Sequence, residues 1–68
     1  MPTGKVKTYD PDRGFGFIRQ DAGGVIFFHV SELRVDPLDI KRGDLVEYEI
    51  RTARDGRILA TGVARHTQ

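Results

Sequence analysis

The chain alternates polar and apolar residues over much of its 68 positions, and a period of two is typical of β-strands with one buried face. The clearest alternation spans residues 45–51, where it predicts three inward side chains: Val46, Tyr48 and Ile50. Similar runs predict four further strands, at residues 4–9, 15–19, 25–29 and 58–64. No segment has the length and period of a long helix, so the pattern predicts five short strands.

Turn signals separate these runs. In residues 10–14 (DPDRG), the proline presets φ and the aspartates can bond to their own backbone. The Asp55–Gly56 pair predicts a tight hairpin turn, and Gly62 predicts a bulge or sharp bend in the last strand. Ser31 is expected to cap a short helical turn at residues 31–33, and residues 34–44 are expected to form an irregular connection.

Strands with turns every ~8–12 residues predict an all-β sandwich or small barrel. Closing the sheet removes its exposed edges, which favours the barrel. A chain of this size makes one domain, residues 1–68, which buries only about 60% of the surface that its unfolded chain exposes. We expect about residues 3–65 to be ordered and the polar tail, residues 64–68, to fray.

Composition narrows the function classes. The net charge is +1, from 11 basic and 10 acidic residues, so bulk charge says little about partners. Most of the basic residues are arginine, which pairs with phosphate in a bidentate way and stacks on flat rings. The absence of cysteine excludes disulfides and thiolate metal sites. No apolar run has the length of a membrane span, and we expect a cytoplasmic protein without a membrane partner.

The sequence shows no catalytic constellation. His29 has no cysteine, serine elbow or acidic cluster around it that would make a nucleophilic or metal site. The run Gly14–Phe17 lies between strands and does not open a helix, so it is not a phosphate-cradling loop. We expect no enzyme activity, no metal, no cofactor and no small-molecule substrate.

Residues 13–30 contain four of the six aromatic residues. Strand alternation allows two different assignments of which side chains in this segment are buried and which are exposed. One assignment buries Phe15 and Phe17, which places Ile18 in solvent. The other buries four aliphatic or aromatic side chains of the alternate parity: Ile18, Ile26, Phe28 and Val30. It exposes a set of rings together: Phe15, Phe17, Phe27 and His29. Such a surface, ringed by cations, would stack unpaired bases and attract phosphates.

The segment from Lys5 to Leu33 resembles the cold-shock domain. That family's two signatures, K-G-F-G-F-I and V-F-V-H-F, correspond to residues 13–18 and 26–30, and the opening GKVK and Gly43 extend the likeness over nearly the whole chain. The resemblance implies a five-stranded antiparallel barrel of the OB type and a monomer that binds single-stranded DNA and RNA as an RNA chaperone. In the family, this activity is linked to transcription antitermination and translation in the cold.

The resemblance also implies which residues bind. Phe15, Phe17, Phe27 and His29 would stack on bases, with Lys7 and Arg13 near phosphates. Tyr9 and Leu38 stand nearest to two further stacking positions of the family. Lys5 and Arg19 are expected to border the aromatic face, and Arg34 and Arg57 to add phosphate contacts.

The chain departs from the family pattern at four stacking or base-edge positions. Thr8 stands where the family has tryptophan, and Val30 and Leu38 stand where it has aromatic residues. Val25 replaces an acidic residue that can pair with a base edge. Stacking is worth ~1–3 kcal/mol per base, so we expect weaker binding and a shorter site than in typical members. The alternative function is a small-barrel protein-interaction module that uses the same aromatic face.

Overall fold

The computed structural model describes residues 1–66. It contains five strands: β1 (Thr3–Asp10), β2 (Phe15–Gln20), β3 (Val25–His29), β4 (Leu45–Thr52) and β5 (Ile58–Arg65). Two short 3₁₀ turns, Val30–Glu32 and Pro37–Asp39, lie between β3 and β4. The five predicted strands are therefore confirmed. Ala64 and Arg65 were expected in the fraying tail but belong to β5, and residues 67–68 of that tail lie outside the described residues.

The strands form a closed barrel in the order β1-β2-β3-β5-β4. Four of the pairs are antiparallel, whereas β3 and β5 are parallel, with Phe27 opposite Leu59. The all-β, five-stranded barrel is confirmed, but its strand orientation is mixed rather than wholly antiparallel. The reason is that the long connection between β3 and β4 returns the chain to the far side of the barrel, so that β5 closes it beside β3.

Two β-bulges interrupt the pairing. Between Val6 and Thr8, β1 has one residue more than β2, so Lys7 is the extra residue. On β5 the extra residue lies between Thr61 and Ala64, where Gly62 has a φ of 57°. A bulge residue in the left-handed region favours glycine, so the bulge predicted at Gly62 is confirmed.

The core consists of nine buried hydrophobic residues in contact with one another: Val6, Ile18, Ile26, Phe28, Ile40, Val46, Tyr48, Ala60 and Val63. Phe28 and Tyr48 are its largest members, and both are fully buried. Burying each large side chain stabilises the fold by about 1.5–3 kcal/mol, so these two rings contribute a large share in so small a domain.

Ile50 does not join this core, contrary to the alternation of residues 45–51. Its side chain is 49% exposed. β4 pairs with β1 only over Leu45–Glu47, and beyond Glu47 its only neighbouring strand among the described residues is β5. Residues 49–52 of β4 are all exposed, whereas Ala60, opposite Ile50 on β5, is buried. Without a second neighbouring strand, the alternation along this end of β4 does not predict burial.

Candidate nucleic-acid interface

The register of the β2–β3 hairpin decides which aromatic residues face outward. Phe15 lies opposite His29, and Phe17 lies opposite Phe27. The alternate pairs, Gly16 with Phe28 and Ile18 with Ile26, face the core. Phe15, Phe17, Phe27 and His29 therefore share the outer face, and we call these four residues the aromatic platform. Of the predicted inward set, Val30 is half-buried in the first 3₁₀ turn rather than in the strand.

The three phenylalanine rings of the platform pack against one another. The centroids of Phe15 and Phe27 are 5.8 Å apart with an interplanar angle of 30°. Phe17 meets Phe27 edge to face at 5.7 Å and Phe15 at 6.2 Å. Such contacts are worth about 0.5–1.5 kcal/mol each, so the rings hold one another in place while part of each ring stays exposed.

His29 has a fixed local environment at the edge of the platform. Its Nδ1 accepts a hydrogen bond from the backbone N–H of Ser31 at 3.1 Å, and Ser31 Oγ lies 2.9 Å from the same nitrogen. A nitrogen that accepts carries no hydrogen, so the neutral ring has its hydrogen on Nε2. The cap of this 3₁₀ turn is thus His29 and not Ser31, because the imidazole reaches the first free N–H of the turn.

A groove of about 500 Å³ runs along the platform. Its walls are Phe15, Phe17 and Phe27 on one side and residues 57–59 at the start of β5 on the other. Ile58 and Leu59 were not among the sequence candidates. Only the parallel pairing of β3 with β5 brings them beside Phe27, and local periodicity carries no signal of that pairing.

A second hollow, of about 330 Å³, opens on the other side of Phe17. It is lined by Phe17, Val25, Thr8 and Lys7, the bulged residue of β1. Phe17 is therefore shared by the groove and the hollow, and its ring stands between them.

Several basic side chains lie around the platform. Lys5 is opposite Arg19 across β1 and β2, and both are exposed. Within residues 1–66, no carboxylate oxygen lies within 4 Å of the charged nitrogens of Lys5, Lys7 or Arg19. Their full charge is therefore presented to solvent.

Arg13 and Arg57 instead have acidic partners. Arg13 Nε lies 3.6 Å from Asp10 Oδ2, and Arg57 Nε lies 3.2 Å from Asp55 Oδ2. In each pair the other carboxylate oxygen accepts from the backbone N–H of the same arginine. The two turns that border the platform thus present an arginine that is partly neutralised by a neighbouring aspartate.

Tyr9 lies on the other face of the sheet from the platform. It is opposite Gly16, and its ring stacks on Phe28 at 5.9 Å. Its hydroxyl donates to the carbonyl oxygen of Pro37 at 2.8 Å. Burial, and secondarily the charge of Asp36, raise the pKa of this phenol. Tyr9 therefore lies outside the platform, because the Lys7 bulge reverses the parity of the end of β1.

Arg34 and Leu38 also lie apart from the platform groove. The Arg34 guanidinium covers Gly62, with Nε 3.1 Å from the position a Cβ would take there. Leu38, in the second 3₁₀ turn, is 81% exposed and lines neither the groove nor the hollow. The structure thus brings together the platform, Arg57 and Lys7, but not Tyr9, Arg34 or Leu38.

Two further findings concern residues 1–66. No helix among them is long and apolar enough to cross a membrane. In the same part of the chain, no three histidine, aspartate or glutamate side chains cluster so as to hold a metal ion.

Comparison with known proteins agrees with this architecture. Residues 2–66 match the model of the "Cold-shock" DNA-binding domain. A cold shock-like protein of Thermotoga maritima is 41% identical over 54 residues, which cover 78% of this chain and 82% of the relative. The cold shock-like protein CspA of Stigmatella aurantiaca is 40% identical over 58 residues, with coverages of 82% and 85%.

A solved structure has the same fold. The drosophila Unr CSD456 structure superposes with a TM-score of 0.79 at 24% identity over 97% of this chain, which spans 26% of that longer one. The family match covers nearly every described residue, and the relatives are matched over most of their length. The chain therefore belongs to the cold-shock domain family, a family of nucleic-acid-binding proteins.

Proposed function

We propose that this protein binds single-stranded DNA and RNA by stacking bases on the aromatic platform, with low sequence specificity. The observation that carries the proposal is the outward position of three mutually packed phenylalanine rings beside Lys7, whose ammonium has no carboxylate of residues 1–66 within 4 Å. Phenylalanine is costly to leave exposed, and base stacking gives these rings a partner. Every base has a π-face, so such a surface accepts many sequences.

The mechanism is non-catalytic. Bases that are transiently unpaired stack on Phe15, Phe17 and Phe27, and the free energy of stacking then competes with re-formation of base pairs. Binding at ~1–3 kcal/mol per base holds RNA open without ATP and releases it readily. The protein thereby acts as an RNA chaperone, and through RNA structure it influences transcription or translation. We place this activity in the cytoplasm and assign it to a monomer.

The site is shorter than in typical members of the family. Tyr9 packs on Phe28 rather than on the platform, and Leu38 lines neither the groove nor the hollow. Three phenylalanine rings and His29 remain as stacking surfaces, which supports a site of about three to four bases at one base per ring.

The test compares Phe17→Ala with Phe28→Ala, using the anisotropy of a labelled oligo-dT and thermal unfolding. Loss of one stacking partner predicts an affinity about 5- to 150-fold lower for Phe17→Ala, with the fold nearly unchanged. Loss of the buried Phe28 ring instead costs about 3–5 kcal/mol of unfolding free energy. A folded wild-type protein without saturable oligonucleotide binding would refute the proposal and favour a protein-interaction module.

A further inference from the structure

A polar hollow of about 290 Å³ lies outside the aromatic platform, on the outer surface of β5. Thr61 and Gly62 of β5 form its floor, because the segment after β3 runs along one side of β5 and β4 runs along the other. Two acidic and two basic side chains line it: Glu32 and Arg34 on one wall, and Glu49 and Arg51 on the wall opposite. The polar hollow therefore presents both signs of charge across β5.

None of these four charged side chains has an ion-pair partner in residues 1–66, where no group of opposite charge lies within 4 Å of any of them. The Arg34 guanidinium lies over Gly62, with Nε 3.1 Å from the position that a Cβ would take there. A simple anion in the polar hollow would meet two carboxylates, and a simple cation would meet two guanidinium groups. The site instead suits a ligand with hydrogen-bond acceptors on one edge and donors on another.

Guanine is the base with this arrangement. Its O6 and N7 are adjacent acceptors, and an arginine guanidinium binds the two in a bidentate way. Its N2 amino group and the neighbouring N1–H lie on the other side of the ring and donate together to a carboxylate. In adenine and cytosine the amino donor instead adjoins an acceptor, and thymine has a single ring donor. Only guanine pairs a bidentate acceptor edge with a bidentate donor edge.

The polar hollow adjoins the platform, so that one strand reaches both. Ser31 lies on its rim, with Oγ 2.9 Å from Nδ1 of the platform residue His29. Arg51 lies opposite Leu59, which lines the platform groove. A nucleotide that continues past the stacked bases at this end therefore meets the polar hollow, and Arg51 is available to its phosphate.

We propose that the polar hollow is a guanine subsite, in which Arg34 donates to O6 and N7 and Glu49 accepts from N1–H and the N2 amino group. Arg34 and Glu49 stand on opposite walls, whereas Glu32 shares the wall of Arg34. The inference rests on the proposed function, because stacking of the neighbouring bases on the platform brings the guanine to the polar hollow. It gives a protein of low sequence specificity one position, beside the stacked segment, at which it selects a base.

The experiment measures the affinities of labelled pentanucleotides by anisotropy: dT5, and dT4 extended by one guanine at the 5′ or the 3′ end. One bidentate contact predicts about five-fold tighter binding than dT5 for guanine at one end only, because a strand crosses the platform with one polarity. Inosine lacks the N2 amino group and 7-deazaguanine lacks N7, so each should lose most of this gain.

Two variants test the assignment of the carboxylate. In Glu49→Ala, the ratio of the affinity for the guanine pentanucleotide to that for dT5 should fall to near one. Glu32→Ala is the matched control, because it removes the same charge from the other wall of the polar hollow. It should keep the ratio, even though loss of a negative charge raises the affinity for both oligonucleotides.

The outcomes separate the two proposals. Equal affinity for dT5 and both guanine pentanucleotides overturns the guanine subsite and leaves the platform intact. A gain that inosine retains in full, or that survives Glu49→Ala, also overturns it, because no carboxylate would then contact the base. Equal loss of the gain in Glu32→Ala overturns it as well, since the preference would come from the charge of the polar hollow in general. Absence of binding to every oligonucleotide overturns the platform itself and, with it, this inference.

Discussion

Gly16 lies opposite Phe28 in the β2–β3 hairpin, and a Cβ built on Gly16 would stand 2.6 Å from Cζ of Phe28. The same Cβ would stand 2.7 Å from the carbonyl oxygen of Thr8 on β1. Gly16 thus leaves room for a large core ring between two strands. The second glycine of the G-F-G-F run, Gly16, therefore has a packing role. Because Gly16 faces the core, its neighbours Phe15 and Phe17 face outward.

Gly16→Ala should therefore destabilise the fold without touching the platform. Overpacking of a tight core costs about 1–3 kcal/mol, and for a domain of this size each kcal/mol lowers the melting temperature by roughly 4–8 °C. Thermal unfolding measures the loss. In a Phe28→Leu background the ring atoms are gone, so the same change should cost less. Strict additivity of the two changes would show that Phe28 is not what the added methyl group meets.

The strand positions were predictable from the sequence, because each turn has its own residue chemistry and each strand its own alternation. The outer face of β2 was not predictable from periodicity alone. Both parities bury large apolar side chains, and the deciding contact between Gly16 and Phe28 joins two strands. The resemblance to the cold-shock domain supplied that choice, and the register confirms it.

Other features depend on pairing partners that the sequence does not reveal. Lys5 and Lys7 are exposed, and simple alternation would place Tyr9 on the same outer face. The extra residue at Lys7 reverses this alternation within β1, so Tyr9 packs on Phe28 instead. Ile50 continues the regular alternation of β4, but it lies beyond the segment of β4 that pairs with β1. Ile58 reaches the platform groove only through the parallel contact of β5 with β3. In each case a neighbouring strand decides what a local pattern leaves open.

Tyr48 makes stability depend on pH in the alkaline range. Its buried hydroxyl donates to Gln20 Oε1 at 3.0 Å, and burial, followed by the charge of Asp21, raises its pKa above the ordinary value of 10.0. The folded state therefore favours the protonated phenol. The resulting stability is fully present below pH 10 and decreases as pH rises through the folded-state pKa, because the unfolded chain ionises first.

Tyr48→Phe should change stability in two ways. At pH 7 it removes the hydrogen bond that the Tyr48 hydroxyl donates to Gln20, which lowers the free energy of unfolding by about 0.5–1.5 kcal/mol. Above pH 10 it removes one ionising group, so stability should decrease less steeply with pH than in the wild type. Urea unfolding at pH 7, 10 and 11 measures both effects. Identical slopes with pH in the two proteins would contradict the assigned role.

Oligonucleotide binding should depend on salt. If three cations near the platform each neutralise one phosphate, log K should fall with log salt concentration at a slope of about −2 for a single strand. The three residues are Lys5, Lys7 and Arg19, whereas Arg57 is paired with Asp55. Titration of oligo-dT between 50 and 300 mM salt, roughly the range over which such slopes are read, gives this number. A slope near zero would mean that stacking alone provides the affinity. In that case Arg19→Ala would leave the oligonucleotide affinity unchanged.

Asp55 should restrain binding rather than support it. Its carboxylate lies 3.2 Å from Arg57 Nε, and Arg57 lines the platform groove. Both side chains are largely exposed, so the pair contributes little to stability. Its negative charge, however, offsets the attraction of Arg57 for phosphate. Asp55→Asn keeps an oxygen for the backbone N–H of Arg57 and preserves a favourable Asn–Gly turn.

Asp55→Asn should therefore bind oligo-dT up to about five-fold more tightly at low salt, since two unit charges at about 4 Å interact by about 1 kcal/mol in water. Its salt slope should steepen by about 0.7, because Arg57 then displaces one more counterion. Asp12→Asn is the matched control: it removes the same charge from an exposed turn beside the platform, and no basic nitrogen in residues 1–66 lies within 4 Å of Asp12. Equal tightening in the two variants would assign the effect to net charge, and only a larger effect at Asp55 identifies its pairing with Arg57 as the cause.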